Sequence, residues 1–328
     1  MQGCGRRVRL VPIGVAVVNW NGRDDTLACL ESLLAADPRP ARVVVVDNAS
    51  SDGSAAAISD WIRSHGVAEF DVFAAGSNVG FAAACNLALD RLGAVPDLKH
   101  FFLLNNDATV DPRCFAEIEA ASSGAPATGI LGVTILEAGS RRPWYAGGRV
   151  ARWRAFGRNL RKAPRDGRPL VPTEYVSGCA MLISRTAWLA LGRLPECYFM
   201  YFEDAEYCLR AAAAGLAVAY APRAVVDHRV AGTVERGAVQ AGLGEYRFAK
   251  SRALFARRNL RGAVRWSALA YLVVVGFAKA TLRTLRGRPA RAWTAYRGTW
   301  AGLLAVEGQG QAGRAAGQGP DQGGVPHQ

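Results

Sequence analysis

The sequence predicts an α/β fold in which a doubly wound, mostly parallel sheet is flanked by helices and followed by a C-terminal helical extension. Strand-like and helix-like patterns alternate through the first half of the chain, and polar clusters lie between them. Strand–helix–strand units of this kind are joined by right-handed crossovers and build parallel sheets. With 328 residues, of which 50% are hydrophobic, the chain can bury one large core.

Apolar runs and helical spacing define the elements of the first half. Strands are predicted at Ile13–Val18, Ala41–Val46, Val72–Phe73 and Phe101–Leu104. Helices are predicted at Asp24–Leu34, Ser54–His65 and Phe81–Leu92. The run from 41 to 46 is apolar on both faces, which is typical of a central parallel strand that is covered on both sides.

The pattern is less regular in the second half. The segment Gly139–Pro172 is rich in Gly, Pro and Arg and predicts a long loop of a kind that is often functional. The elements predicted after it are a strand at Glu174–Ser184, helices at Thr186–Leu191 and Ala205–Ala214, and a strand at Leu216–Val226. Arginine-rich helical stretches follow, and the Gly- and Gln-rich segment Val306–Gln328 is predicted to be disordered.

Four polar clusters lie beside the predicted strands and helices, beginning at Asn19, Asp47, Asn78 and Asn105. Any one of them alone is an ordinary turn, because Asn, Asp, Ser and Gly are turn residues. Parallel strands, however, end at the same edge of a sheet, and ligands bind at that edge. Four clusters at one edge therefore favour a binding site.

The segment Tyr201–Arg210 holds three carboxylates within four positions, at Glu203, Asp204 and Glu206, beside aromatic residues. Aromatic neighbours pull such a segment towards the interior, where a carboxylate is costly unless it has a partner or a function. One interpretation is that Asp204 caps the helix that follows. The other is that Asp204 is a general base, whose pKa the two glutamates raise while Arg210 offsets them.

Asp107 and His228 are the candidate metal ligands, because each follows a predicted strand. A nucleoside diphosphate leaving group carries about two or three negative charges, which Mg²⁺ or Mn²⁺ neutralises with few protein ligands. Imidazole is compatible with Mn²⁺, so His228 is either a ligand or a structural histidine. Asp47 either accepts hydrogen bonds from a base or ribose or caps the next helix.

Several short motifs occur in a fixed order between residue 13 and about residue 233. They are Val17–Asn21, Val45–Ser54, Asn78–Phe81, Leu103–Asp107, Val176–Met181, Phe199–Asp204 and His228. Taken together, they resemble the motifs of family 2 glycosyltransferases with the GT-A fold, in the rhamnosyltransferase-like branch. An Arg-Asn pair that is common in the family is not evident around Lys250-Ser251-Arg252.

The resemblance implies an inverting transfer of a sugar from a nucleoside-diphosphate donor, with Mg²⁺ or Mn²⁺ as cofactor. It places the metal on Asp107 and His228, and it makes Asp204, the second acid of the pair with Glu203, the catalytic base. The residues assigned to the nucleotide-sugar are Asn19, Asp47, Asn78, Gly80 and Asn105. Rhamnose from a dTDP donor is the commonest choice for this branch.

The net charge of +13 is concentrated in the C-terminal third, where residues 229–297 hold fifteen Lys and Arg against two Glu. We expect a catalytic domain over residues 1–233, a basic helical region over 234–300 that contacts an anionic membrane, and a disordered tail over 301–328. The apolar run Trp266–Ala278 has thirteen residues. As a helix of about 20 Å it is too short for a hydrocarbon core of about 30 Å, so we expect it to lie in the interface.

These features predict a cytoplasmic enzyme, peripheral on the inner face of the cell membrane, that extends a glycan or lipid-linked acceptor in cell-envelope polysaccharide biosynthesis. Seven scattered cysteines without a Cys-x-x-Cys pair favour reduced thiols. A sugar-nucleotidyltransferase has a similar sheet but needs an N-terminal Gly-rich loop, which Val11–Asn21 lacks. A nucleic-acid-binding protein would use the basic third, but the sequence has none of the usual signatures.

Overall fold

The computed structural model describes residues 9–125, 127–162, 167–229, 238–286 and 289–305. The part of the predicted tail from residue 306 onward lies outside the described residues. The strands are β1 (Leu10–Asn19), β2 (Arg39–Asp47), β3 (Phe70–Ala74), β4 (His100–Asn105), β5 (Ala108–Val110), β6 (Thr128–Glu137), β7 (Pro143–Tyr145), β8 (Gly148–Ala151), β9 (Phe156–Asn159), β10 (Val171–Pro172), β11 (Ala180–Ser184) and β12 (Ala217–His228).

The helices flank the sheet and then continue beyond it. They are α1 (Arg23–Ala35), α2 (Ser54–His65), α3 (Phe81–Gly93), α4 (Cys114–Ser123), α5 (Arg185–Leu191), α6 (Glu203–Ala213), α7 (Ala238–Asn259), α8 (Gly262–Leu285) and α9 (Pro289–Leu304). The last three form the C-terminal helical extension that the sequence predicts.

One large sheet runs through the molecule in the order β10-β12-β6-β11-β4-β1-β2-β3, with β5 paired to β12 and β7 to β6. The half formed by β3, β2, β1 and β4 is parallel. In the other half, β12 is parallel to β6, whereas β11 is antiparallel to both of its neighbours. The doubly wound α/β prediction is confirmed.

Strand β4 shows how the sheet divides the core. Phe102 and Leu104 pack into an apolar cluster with α1, α2 and α4. Phe101 and Leu103 pack on the opposite side with α3, α5 and α6. Side chains alternate between the two faces of a strand, so a strand that is apolar throughout needs helices on both sides.

The register of the parallel strands aligns their carboxyl ends. Asn19 at the end of β1 pairs with Asp47 at the end of β2, and Val18 pairs with Asn105 at the end of β4. Three of the four polar clusters therefore meet at one edge, as the sequence predicts.

The second half differs from the prediction in two places. The predicted strand at Glu174–Ser184 begins only at Ala180, because the backbone N–H groups of Val176 and Gly178 donate to the side chains of Cys208 and Asp204 and not to a neighbouring strand. The predicted loop Gly139–Pro172 contains β7, the β8–β9 hairpin and β10. Residues 108–138, for which the sequence predicts no element, form β5, α4 and β6.

Candidate active site

A cleft of about 650 Å³ opens at the carboxyl ends of β1 and β4. Most of the residues that the sequence assigns to the site line this cleft: Asn78, Gly80, Asn105, Asp107, Glu203, Asp204 and His228. Side chains from distant parts of the chain complete its walls, among them Trp144, Tyr175, Arg247 and Phe248. The fold therefore brings together residues that lie more than a hundred positions apart in the sequence.

Asp107 and His228 are adjacent because β5 pairs with the end of β12. Ala108 is the register partner of His228, and the Arg229 N–H donates to the Asp107 carbonyl at 2.9 Å. The His228 Nε2 then lies 3.1 Å from Asp107 Oδ1, and the two side chains are only 9% and 8% exposed. Trp144 packs edge-on against the His228 ring, with 5.4 Å between the ring centroids.

The surroundings of His228 shift its pKa in opposite directions. Burial lowers the pKa of His228, but Cys179 and Asp107 beside it raise that pKa more strongly, to about 10. Even so, the described residues leave Asp107 Oδ1 and His228 Nδ1 buried and without a hydrogen bond of good geometry. Unsatisfied polar atoms in a buried position are costly unless a further ligand binds them.

Asp204 lies at the start of α6 and is held by three donors. Its Oδ2 accepts hydrogen bonds from the Gly178 N–H at 2.8 Å and from Tyr175 Oη at 3.1 Å, and its Oδ1 accepts from the Ala205 N–H at 2.7 Å. Burial raises the pKa of Asp204, although these hydrogen bonds act in the opposite direction. The arrangement fixes a half-buried carboxylate at the cleft wall, and a general base needs both that position and a raised pKa.

Glu203 precedes Asp204 but is in a different environment. Its side chain is buried, and among the described residues its Oε2 has no hydrogen-bond partner. Burial, followed by the charge of Asp204, raises the pKa of Glu203 well above its usual value. Burial therefore disfavours the charged form of Glu203, whose Oε2 has no donor, more than that of Asp204, whose carboxylate accepts three hydrogen bonds.

The backbone before Asp204 is strained. Tyr201 and Phe202 both have left-handed conformations, with φ of 70° and 73°. For residues with a side chain this conformation costs roughly 1–2 kcal/mol each. Strain of this kind is concentrated at functional sites and persists where the surrounding structure holds it.

Arg210 does not pair with Glu206, although the sequence predicts that it offsets the charge of the neighbouring glutamates. Arg210 instead donates to the carbonyl oxygens of Leu191 and Arg193. The partner of Glu206 is Arg258, which is followed by Asn259, so the chain does contain an adjacent Arg-Asn pair, downstream of residues 250–252. Burial opposes the charge of Glu206, but these partners lower its pKa below the usual value.

Asn19 and Asp47 lie behind the cleft and not in its wall. Both are buried, and Asn19 Nδ2 donates to Asp47 Oδ1 at 2.8 Å. Asn19 Oδ1 also accepts from Asn106 Nδ2 at 3.2 Å, which ties the ends of β1, β2 and β4 together. Their assignment to the nucleoside stays a prediction. In the structure their hydrogen bonds hold the loops that follow β1, β2 and β4.

Asn48 is a cleft residue that the sequence analysis did not single out. Its Nδ2 donates to Asn78 Oδ1 at 3.1 Å, and its Oδ1 accepts from the Val79 N–H at 3.0 Å. Asn78 Oδ1 also accepts from the Gly80 N–H at 3.1 Å. Its position directly after Asp47 in the second polar cluster is the sequence signal that could have identified Asn48.

Gly80 meets a close backbone contact, which gives a prediction about stability. Its φ is +89°, and a Cβ would lie 2.5 Å from the Phe199 carbonyl oxygen. Gly76 has a similar φ of +78° with no atom within 4 Å of a Cβ. We expect Gly76→Ala to lower the free energy of unfolding by about 1 kcal/mol and Gly80→Ala by a further 1–3 kcal/mol or so, measured by urea denaturation. Equal losses in the two variants would contradict the contact.

Comparison with known proteins identifies the class. The sequence matches the family described as glycosyltransferase like family 2 over residues 11–263, and the chain belongs to that family. It is 28% identical over 232 residues to an N-acetylglucosaminyl-diphospho-decaprenol L-rhamnosyltransferase of Mycobacterium tuberculosis, covering 63% of this chain and 72% of that protein. It is 24% identical over 217 residues to a low-salt glycan biosynthesis hexosyltransferase of Haloferax volcanii, covering 63% of each.

Solved structures show the same fold at low sequence identity. The mannosyltransferase PcManGT from Pyrobaculum calidifontis, in complex with GDP-Man and Mn²⁺, matches with a TM-score of 0.57 and 18% identity over 90% of each chain. GalNAc-T7 with UDP, GalNAc and Mn²⁺ matches with a TM-score of 0.61 and 14% identity, over 89% of this chain and 56% of that one. The GT-A prediction for the fold is confirmed.

The residues around Asp107 fit a divalent cation that takes most of its ligands from a substrate. Among the described residues, no group of three or more His, Cys, Asp and Glu side chains is arranged to hold a metal. A two-residue set suits Mg²⁺ or Mn²⁺, which bind through few protein ligands together with phosphate oxygens and water. Asp107 Oδ1, which has no hydrogen-bond partner among the described residues, and His228 Nε2, which lies 3.1 Å from it, are the protein atoms that fit such an ion.

Proposed function

We propose that this protein is a metal-dependent, inverting glycosyltransferase that moves a sugar from a nucleoside-diphosphate donor to a hydroxyl of a glycan or lipid-linked acceptor. The observation that carries the proposal is that the Asp107–His228 pair and Asp204 line one cleft at the carboxyl edge of the sheet. The family assignment favours this function over a sugar-nucleotidyltransferase and over a nucleic-acid-binding protein.

Asp107 and His228 are the residues that would hold Mg²⁺ or Mn²⁺. When bound, the cation neutralises the charge of the departing diphosphate. Asp204 accepts the proton of the acceptor hydroxyl. At the same time the hydroxyl oxygen of the acceptor bonds to the anomeric carbon, and the bond from that carbon to the diphosphate breaks. Gly178 and Tyr175 hold the Asp204 carboxylate in a fixed orientation for this step.

The donor would lie along the wall formed by Asn78, Gly80 and Asn105, with Asn19 and Asp47 supporting that wall from behind. Burial raises the pKa of Glu203 well above its usual value, so in this proposal Glu203 lies beside the base and does not itself accept the proton. Rhamnose from a dTDP donor is the first sugar to test, because the Mycobacterium tuberculosis relative is named as a rhamnosyltransferase.

A panel of nucleotide-sugars tests the proposal. The purified protein is incubated with dTDP-rhamnose, UDP-N-acetylglucosamine or GDP-mannose, with Mn²⁺ or Mg²⁺ and a diphosphate-linked glycolipid acceptor, and nucleotide release is followed. We expect release from one donor that depends on both the metal and the acceptor. Release that is equally fast after chelation of the metal would contradict the role given to Asp107 and His228.

The helices after the sheet support contact with a membrane. Helix α8 has 24 residues and contains an 18-residue window with a mean hydropathy of 1.5, so by length and composition it is able to cross a membrane. Only 22% of that window is buried. At about 1.5 Å per residue it exceeds the expected thirteen-residue run and reaches the thickness of a bilayer core. Length alone does not separate a span from a surface helix, and we propose peripheral contact because α8 also packs on the protein through Leu269 and Leu272.

The apolar residues that α8 exposes give a test of this contact. Val274 is 65% and Leu285 is 79% exposed. We expect the double variant Val274→Glu, Leu285→Glu to lose sedimentation with anionic phosphatidylglycerol vesicles by about tenfold, because the changes remove apolar area and add negative charge. Leu189→Glu is the matched control, since Leu189 is 73% exposed on the distant helix α5. Unchanged sedimentation of the double variant would exclude α8 as the membrane-binding face.

A further inference from the structure

Helix α7 contacts each residue of the segment 198–202, which leads into helix α6. Two of the contacts are hydrogen bonds, from Asn259 Nδ2 to Tyr198 Oη at 3.4 Å and from Ser251 Oγ to the Met200 carbonyl at 2.8 Å. The Arg247 guanidinium lies 3.9 Å from the centroid of the Phe199 ring. The centroid of the Phe248 ring lies 5.4 Å from those of both Tyr201 and Phe202. Glu203 and Asp204 follow directly, so α7 is the surface on which the approach to the proposed base is built.

This support matters because the segment is strained. Tyr201 and Phe202 adopt consecutive left-handed conformations immediately before α6 begins. Such a backbone persists only where its surroundings hold it. The contact of Phe248 with both rings, and that of Phe255 with Phe202 at 5.3 Å between centroids, supplies packing from one face of α7.

The last turn of α7 is fixed to α6 through Glu206. Arg258 binds this carboxylate with two nitrogens, Nη2 to Oε1 at 3.0 Å and Nε to Oε2 at 3.1 Å. Asn259 Nδ2 and Tyr198 Oη also donate to Oε2, at 2.8 and 2.6 Å. The Glu206 side chain is 5% exposed, and a two-point guanidinium–carboxylate contact defines geometry as well as charge.

None of Glu206, Arg258 and Asn259 is a lining residue of the cleft. All three lie behind Asp204. Glu206 is two positions after Asp204 on α6, and Arg258 and Asn259 are at the end of α7. We infer that Arg258 and Asn259 are positioning residues: by holding Glu206 they set the rotation and depth of α6, and with it the carboxylate of Asp204. This inference rests on the proposed function, in which Asp204 is the base.

The adjacent arginine provides a matched control. Arg257 is on the same turn of α7, but its Nη1 donates to the carbonyl oxygens of Gly302, Leu303 and Ala305, at 3.2, 2.8 and 2.7 Å. It therefore ties α7 to the end of α9 and not to α6. Replacing either arginine by methionine keeps a long side chain and removes one set of polar contacts.

The experiment compares Arg258→Met and Arg257→Met in the full chain, with kcat and donor KM measured separately. We expect Arg258→Met to lower kcat about 100-fold with donor KM within about twofold, because a small displacement of a catalytic group has an effect of this size. Arg257→Met should keep kcat within about twofold. Arg258→Lys retains the charge but not the two-point contact, and should recover part of the kcat.

A double variant tests the route through Glu206. If Arg258 acts only through that carboxylate, Glu206→Gln combined with Arg258→Met should lose no more kcat than Arg258→Met alone. Should Arg258→Met not fold, Ser251→Ala, which removes the hydrogen bond to the Met200 carbonyl, should lower kcat about fivefold at unchanged donor KM. Equal losses of kcat in Arg258→Met and Arg257→Met, or a rise in donor KM that matches the fall in kcat, would overturn the inference.

Hydrogen–deuterium exchange separates failure of the inference from failure of the proposed function. Exchange at residues 198–206 should be faster in Arg258→Met than in Arg257→Met, whatever reaction the protein catalyses. If the wild type transfers no sugar but this difference is present, the proposed function fails and the support of the segment by α7 stands. If exchange is the same in both variants, the inference is wrong.

Discussion

Asp204→Asn is expected to bind the donor with wild-type affinity and to lose sugar transfer by about 10²–10⁴-fold. The change keeps the size and most hydrogen bonds of the side chain but removes its capacity to accept a proton, and general-base catalysis is worth a factor of this order. Donor affinity is measured by calorimetry in the presence of Mn²⁺, and transfer is followed through nucleotide release in the presence of acceptor.

Glu203→Gln is the control for this variant. Burial and the charge of Asp204 hold Glu203 in its neutral form, which glutamine imitates, so we expect transfer within about fivefold of wild type. Loss of transfer in Glu203→Gln with retention in Asp204→Asn would give the role of base to Glu203. That outcome would contradict the assignment.

The pH profile gives a second readout of the same residue. Burial raises the pKa of Asp204 above the ordinary value of 3.8, and a base acts only in its deprotonated form. The transfer rate should therefore be low at acidic pH and should rise as the pH passes a pKa that lies above 3.8. In Asp204→Asn this acidic limb should be absent from the residual activity.

Asp107→Ala is expected to lower donor affinity in Mn²⁺ by about 100-fold. The Asp107 carboxylate and the diphosphate would share the cation, so loss of the carboxylate removes most of the attraction between protein and diphosphate. The remaining affinity should be insensitive to EDTA, whereas EDTA should reduce wild-type affinity to the level of the variant. Calorimetric titration with the nucleoside diphosphate, with and without Mn²⁺, measures both effects.

Asp97→Ala is the matched control, because Asp97 is an exposed aspartate in the loop before β4. It should bind the donor as wild type does and keep the full effect of EDTA. If Asp107→Ala retains a Mn²⁺-dependent affinity close to that of wild type, the cation is held elsewhere in the molecule.

The sequence predicts the parallel half of the fold well because that half follows local rules. Apolar runs such as 43–46 and 101–104 are buried on both faces. The polar residues after them meet at one edge through the register of β1 with β2 and β4. Residues 108–138 are less clear in the sequence, because β5 has only three residues and because Gly132 and Thr134 interrupt the apolar run of β6, although that strand is buried along most of its length.

Asp107 and His228 illustrate what the sequence predicts about the site. Each is conspicuous as a polar residue after an apolar strand, but their contact depends on the pairing of β5 with β12, which no local pattern shows. The resemblance to the family supplied that link. Asn19 and Asp47 are equally conspicuous, yet their side chains bond to each other beneath the cleft, because two polar side chains at paired strand ends satisfy one another.

The sequence did not predict that α7 contributes residues to the cleft. The predicted boundary at residue 233 places Arg247 and Phe248 in a separate basic region, whereas in the structure both line the cleft. Charge counting identified the region as basic, but it does not show which arginines bind internal partners such as Glu206 and which are free for a surface. The boundary itself stays a prediction.

A crystal structure with Mn²⁺ and the nucleoside diphosphate of the active donor tests the central claim most directly. Anomalous scattering locates the ion. We predict that the ion is bound by Asp107 and His228 beside the diphosphate, with the Asp204 carboxylate facing the same cavity across the position of the sugar. An ion and nucleotide bound away from Asp107, or a diphosphate from which Asp204 is separated by the body of the protein, would contradict the account.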